Sequence, residues 1–281
     1  MAGHTPNLVL MKLSALYKES GYETELLKPS DVLKGGNLFC GFSYLYGACV
    51  FTWNHPTADA LANVGVHVGG TGTVSKRNLP YEAEHIMPDY SLYGVNDVAY
   101  GFLTRGCPRK CPFCIVSGKE GVQSRKVADI SEFWTGQKHI VLMDPNILAC
   151  PDSLDLLQQL AESKACVDIN QGLDARLLTE ENILAINKIK VKMIHFAWDN
   201  YEFKTYEKLK RFRPLMDKDG RHIRVYVLTN FNTSHEQDLE RIYKLRELDY
   251  DPFVMIYDKP NAPRQTKQLQ RWCNNKWIFR A

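Results

Sequence analysis

The chain has 281 residues, 44% of them hydrophobic and 24% charged, with a formal net charge of +3. That length suits one large domain or two modest ones, and the composition is that of an ordinary globular chain able to bury its own core. The small net charge argues for neither nucleic acid nor a membrane surface, no apolar run is long enough for a membrane span, and residues 1–7 lack an export signal, so a cytoplasmic chain is expected.

Residues 8–20 place apolar side chains at helical spacing. Leu10, Leu13 and Tyr17 share one face with Leu16 beside them, and Gly21 is placed to end the helix. Short strands are predicted over 23–27, 48–52 and 64–68, with a helix over 57–63 between the last two. This alternation predicts a small parallel, Rossmann-like α/β unit whose opening strand is missing or very short. Gly69-Gly70-Thr71-Gly72 follows a strand, as phosphate-cradling turns do, but no helix follows it, and a plain turn is the better reading. Residues 78–93, with two prolines and little periodicity, read as a linker, so the first domain and its linker are placed at 1–93.

From Asp97 the pattern is regular. Strands are predicted over 98–103, 139–143, 166–169, 193–198, 224–228 and 253–257, and helices over 152–163, 179–188, 201–212 and 235–248. Six strands alternating with helices predict a parallel, curved sheet over a core at 94–260, shorter than a full eight-unit barrel. A closing helix and tail occupy 261–281, where Trp272 and Trp277 are expected to pack. Polar residues follow five of the strands: Asp144 and Asn146; Asn170, Gln171, Asp174 and Arg176; Asp199 and Asn200; Asn230 and Asn232; and Asp258. Such residues also start turns and cap helices, but five strand ends in succession point to a lined site, because parallel strands bring their carboxyl ends to one rim. Lys204, Lys208, Lys210, Arg211 and Arg213, interleaved with Tyr201, Phe203, Tyr206 and Phe212, could meet RNA, although a solvated basic helix face is the favoured reading.

Eight cysteines occur, and three of them, Cys107, Cys111 and Cys114, crowd into the loop after the first of the six strands with C-x3-C-x2-C spacing. A disulfide framework does not suit a long chain without an export signal. Zinc in a structural site wants four protein ligands, and no nearby His or Cys completes the set. A [4Fe–4S] cube held by three thiolates keeps one iron open to a substrate, and that favours the cluster over zinc.

The C-x3-C-x2-C spacing, with Phe113 just before the last cysteine, resembles the radical S-adenosylmethionine (SAM) superfamily. The resemblance spans about residues 95–258 and implies a partial (β/α)6 barrel. It implies cluster ligation by Cys107, Cys111 and Cys114. It also implies chelation of the open iron by SAM and reduction by a flavodoxin or ferredoxin. A 5′-deoxyadenosyl radical would then abstract hydrogen from an unidentified substrate. Phe113 matches the position whose backbone meets adenine. The family's Gly-Gly-Glu segment, which meets the SAM amino group, is replaced by Asp144-Pro145-Asn146, which keeps a carboxylate for the ammonium and makes Asp144 and Asn146 candidates for binding SAM. Arg176 is a candidate for the SAM carboxylate, Gln171 or Asp174 for the ribose, Asn230 for adenine or ribose, and Asp199 for the substrate. Residues 6–26 resemble the start of a cobalamin-binding-type domain, but the D-x-H-x-x-G pattern is absent and cobalamin is not expected. A methylthiotransferase acting on tRNA or protein would want a second cluster, yet Cys40, Cys49 and Cys150 are dispersed. The alternative outside enzymology is a zinc- or cluster-bearing nucleic-acid-binding module.

Overall fold

The computed structural model describes residues 6–35, 41–73 and 78–280. In chain order the elements begin with α1 (Leu8–Glu19), α2 (Pro29–Lys34), β1 (Tyr46–Ala48), α3 (His55–Asn63), β2 (His67–Gly69) and α4 (Tyr81–Glu84). Then come β3 (Val98–Gly101), β4 (Thr104–Arg105), α5 (Val116–Lys119), β5 (Arg125–Lys126), β6 (His139–Leu142), α6 (Ser153–Glu162), β7 (Cys166–Leu173) and α7 (Glu180–Asn187). The chain continues through β8 (Val191–Ala197), α8 (Phe203–Phe212), β9 (Ile223–Thr229), α9 (His235–Glu247), β10 (Asp251–Ile256), α10 (Arg264–Asn274) and α11 (Lys276–Arg280). It divides into two compact units, one of Met1–Ala99 with Glu132–Trp134 and one of Tyr100–Ser131 with Thr135–Ala281.

In the first unit, β1 and β2 pair in parallel with α3 as the crossover. Val32, Leu61 and Val66 form its small core, with Leu27, Leu45 and Val68 packed against them. The strand expected over 23–27 is absent: the segment is irregular and Thr24 instead bonds Ser14 at 2.7 Å. The expected strands over 48–52 and 64–68 appear as β1 and β2, displaced by a few residues. Residues 69–72 are a packed turn. A Cβ on Gly70, at φ +116, would lie 2.3 Å from the Cys49 carbonyl oxygen, and the Gly72 N–H donates to that same oxygen at 2.9 Å. The stretch read as a linker packs back on α1. Asp89 accepts from Ser14 at 2.6 Å and pairs with Lys18 at 2.8 Å, and its N–H donates to Met11 O at 3.1 Å.

The second unit is built on a six-stranded sheet in the order β10-β9-β8-β7-β6-β3, and the boundary between the units falls within β3. The pairs β10/β9, β9/β8, β8/β7 and β7/β6 are all parallel. This is a mixed α/β fold with the parallel sheet of a partial barrel. The period-2 rule is visible on β9, where Ile223, Val225 and Val227 are fully buried while Arg224 and Tyr226 face the other side half-buried. Helix α6 buries Leu156, Leu157, Leu160 and Ala161 on one stripe. Helices α7 and α9 open with capping boxes on Thr179 and Ser234. The edge strand β10 is covered by α10: Asn274 accepts from Val254 N at 2.8 Å, and Gln270 donates to Val254 O at 3.0 Å. That cover closes an otherwise sticky edge. Trp272 packs on Phe279, as expected of a closing helix, but Trp277 is 92% exposed and packs on nothing comparable. No described helix is long and apolar enough to cross a membrane.

Candidate functional site

The cysteine loop leaves the end of β3, the edge strand, and returns through the β4/β5 hairpin. Its entry is a tight turn at Gly106, where φ is +86 and a Cβ would sit 2.1 Å from the Gln123 carbonyl oxygen, so only glycine fits. Glu120 ties the turn from within, accepting from Gly106 N at 3.2 Å and from Arg105 at 2.8 Å, while Cys107 N donates to Gly121 O at 3.1 Å. Lys110 adopts a left-handed φ of 50, which reverses the chain between Cys107 and Cys111. Cys114 N donates to Cys111 O at 3.0 Å and tightens the second gap. The three thiols are free.

The loop lies over the rim of the sheet. At the end of β6, Asp144 is 3% exposed. Its Oδ1 accepts from Leu103 N at 2.8 Å, and its Oδ2 accepts from Thr104 N at 2.6 Å and Thr104 Oγ1 at 2.5 Å. Burial pushes this carboxyl up to about 6, against hydrogen bonds that favour its charge. Both oxygens are engaged by the start of the loop, so Asp144 works as a pin for the loop rather than as the carboxylate expected to meet the SAM ammonium. Asn146 is 2% exposed; its Nδ2 donates to Cys107 Sγ at 3.5 Å, and its Oδ1 is buried without a partner.

At the end of β7, Asp174 is gripped by Arg109 from the cysteine loop and by Arg176 Nε at 2.8 Å. Arg176 also approaches Glu202 at 3.7 Å. The ribose contact expected of Asp174 therefore competes with two guanidinium groups. Gln171 lies inside β7, which runs past the expected end at 169 through a register shift between Ile169 and Leu173, and its side chain is exposed. At the end of β8, burial pushes Asp199 up to about 6, with Arg241 and Arg176 opposing. Burial also pushes the Cys111 thiol up; Asp199 adds to that rise, Arg176 opposes it, and Cys114 and Cys107 contribute as neighbours. At the end of β9, Asn230, at φ 61, donates to Tyr257 O at 2.8 Å and so fixes the approach of the β9 and β10 ends. Phe113 packs edge-on against Phe231 at 5.3 Å, and Phe231 against Tyr257 at 4.9 Å. The loop from one edge of the sheet thus touches residues after β6, β7 and β9.

As placed, no group of three or more His, Cys, Asp or Glu side chains among the described residues is set to hold a metal ion. The fit to an iron–sulfur cluster therefore rests on the donor set, three thiols within eight residues of one loop, and on the amide directed at one of them. Cys49, in the first unit, contacts the Phe51 carbonyl oxygen at 3.4 Å, and Cys150, in the second, contacts Asp152 at 3.9 Å. Both are buried, and Cys40 lies outside the described residues.

No protein-family model and no curated protein matches the chain. Among solved structures it is similar to SuiB of Streptococcus suis bound to S-adenosylmethionine, with 14% identity over 65% of this chain and 44% of that one, at a TM-score of 0.42. It is also similar to SuiB of Streptococcus suis bound to the precursor peptide SuiA, with 13% identity over 80% of this chain and 57% of that one, at a TM-score of 0.47. The chain spans about half the length of these structures.

Several site residues carried no signal in the sequence. Arg241 is fully buried, and its guanidinium donates to Trp198 O at 2.5 Å, Asp199 O at 3.2 Å, Leu228 O at 2.7 Å and Asp238 at 2.6 Å. It therefore sets the ends of β8 and β9, and with them Asp199. Arg109 and Phe231 likewise carry no site signal in the sequence. Trp198 is buried and stacked on Tyr206 at 5.6 Å, and its indole N–H has no partner. The basic stretch on and just after α8 is mostly a solvated face, with Lys204, Lys210 and Arg211 exposed and Arg211 3.5 Å from Glu180, while Lys208 donates to Leu178 O at 3.0 Å and Arg213 pairs with Asp249.

Proposed function

We propose that this chain is a radical SAM enzyme in which Cys107, Cys111 and Cys114 hold a [4Fe–4S] cluster and SAM occupies the neighbouring rim of the sheet. The observation that carries the reading is the path of the cysteine loop, which leaves an edge strand and brings Cys107 to Asn146 after β6, Arg109 to Asp174 after β7 and Cys111 within electrostatic reach of Asp199 after β8. When bound, such a cluster supplies the electron that splits the sulfonium of SAM, and the 5′-deoxyadenosyl radical released takes a hydrogen atom from the substrate.

The chain's own residues prepare that chemistry. Asp144 holds Leu103 and Thr104 and so fixes where the loop begins. Asn146 Oδ1, buried without a donor, is suited to accept from the SAM ammonium in place of the glutamate that other family members offer. Arg176, oriented by Asp174, presents a guanidinium to the SAM carboxylate. Phe113, backed by Phe231, walls the adenine side; Asn230 steadies that wall, and the exposed Gln171 is free to meet ribose hydroxyls. Asp199, pushed up to about 6, offers a carboxyl that changes charge near neutral pH to a substrate beside Cys111. A reduced flavodoxin or ferredoxin is the electron donor that this reading requires.

Anaerobic reconstitution is expected to give about four irons per chain, with 5′-deoxyadenosine formed from SAM under dithionite. Cys111→Ala is expected to lose SAM cleavage, whereas Cys49→Ala keeps both iron and turnover. About one zinc per chain in place of iron, without SAM cleavage, overturns the reading. An iron content of about eight per chain points instead to a second cluster and a methylthiotransferase.

A further inference from the structure

We infer that Asn146 is a positioning residue for the electronics of the cluster: its side-chain amide donates to Cys107 Sγ and raises the reduction potential of a cluster bound there. This rests on the proposed function and adds to it a residue whose effect is read on the cluster itself.

The contact is 3.5 Å from Nδ2 to Sγ, an ordinary length for a donor on sulfur. The residue is held in place from several sides. Asn146 is 2% exposed, its backbone carbonyl oxygen accepts from Ser124 Oγ at 3.0 Å, and the next two residues, Ile147 and Leu148, are buried. Two positions earlier, Asp144 is tied to the start of the same loop. The orientation of the amide also follows from charge: a ligating thiolate repels the carbonyl end and attracts the N–H end.

An electron added to an iron–sulfur cluster places more negative charge on its sulfurs. A fixed N–H donor stabilises the reduced form more than the oxidised one, so the potential rises. Leucine at this position keeps the branched shape and removes the donor.

The test is an EPR-monitored redox titration of the reconstituted full chain, wild type against Asn146→Leu, with iron content measured in parallel. At fixed ambient potential the reduced-to-oxidised ratio of the variant is expected to fall about tenfold, which is about 59 mV for one electron. Equal potentials at equal iron content overturn the role of Asn146 and leave the proposed function standing. A wild-type chain that takes up no cluster overturns both. If Asn146→Leu does not fold, wild-type protein carrying asparagine labelled with 15N at the side-chain amide decides the matter by pulsed EPR. Coupling of that nitrogen to the reduced cluster supports the role, and its absence overturns it.

Discussion

The two units of this chain are held by different means. The first has strands of only three residues and a core of a few aliphatic side chains, while Phe51 and Trp53 stack on each other in the open. Polar contacts fasten its pieces: Asp89 reaches back to Ser14 and Lys18 on α1. The second has central parallel strands of seven and eight residues, buried on the helix-facing side, with its polar residues gathered at the strand ends. The contrast shows what a site requires. Long strands clamped in register carry polar groups to one rim at fixed positions, whereas short strands leave little beyond a hydrogen-bonded scaffold.

Three measurements would break or sharpen this contrast. The largest effect is expected at Arg241, the fully buried guanidinium behind the ends of β8 and β9. Arg241→Met leaves buried Asp238 without its counter-charge, with only Thr233 Oγ1 still donating to it, and leaves the Trp198 and Leu228 carbonyls without the guanidinium; it should cost about 3–5 kcal/mol in urea unfolding. A cost under about 1 kcal/mol would mean that the rim is not set by this residue. Next is Asp89. Its burial opposes ionisation, but hydrogen bonds from Lys18, Ser14 and Ser91 outweigh that and bring it down to about 2. A carboxyl lower in the folded state than in the unfolded one stabilises the fold above the unfolded value near 4 and loses that contribution as pH falls towards 2. Asp89→Asn should therefore cost on the order of 2 kcal/mol at pH 7 and nothing near pH 2, read as the pH dependence of the unfolding midpoint. A variant that tracks the wild type at every pH would deny Asp89 its role as a fastener. The smallest effect is expected at Trp53, 72% exposed. Trp53→Ser should shift stability by no more than about 0.5 kcal/mol, and a larger loss would show that the surface aromatic stack supports the first unit.

The same contrast governs how much could be read in advance. The six strands of the main sheet were visible in the sequence because each places aliphatic residues on a face that is then buried, as Ile223, Val225 and Val227 do. The end of β7 is hidden in the sequence because Asn170-Gln171-Gly172 has the composition of a turn, while Gly172 at φ +102 lets the strand continue through an irregular register. In the first unit, residues 23–27 read as a short strand between a helix and a polar stretch, but a strand needs a neighbour, and neighbours are set by contacts distant in sequence. The three cysteines were legible as a group from their spacing alone. Their surroundings were not: Arg241 sits in a polar helical stretch that reads as surface, and only the folded chain brings the Trp198 carbonyl to it.

The cysteine loop has a mechanical consequence. A half-closed sheet has two margins, and this loop spans from one towards the other like an arch, bearing on Asp174 near its middle and on Phe231 at its far foot. Its crown is an ion pair whose carboxylate is buried, and its footing is an aromatic contact, so salt leaves both largely in place. Phe113 lies between Cys111 and Cys114, so any displacement of that aromatic footing is passed straight to the span of chain that carries the thiols.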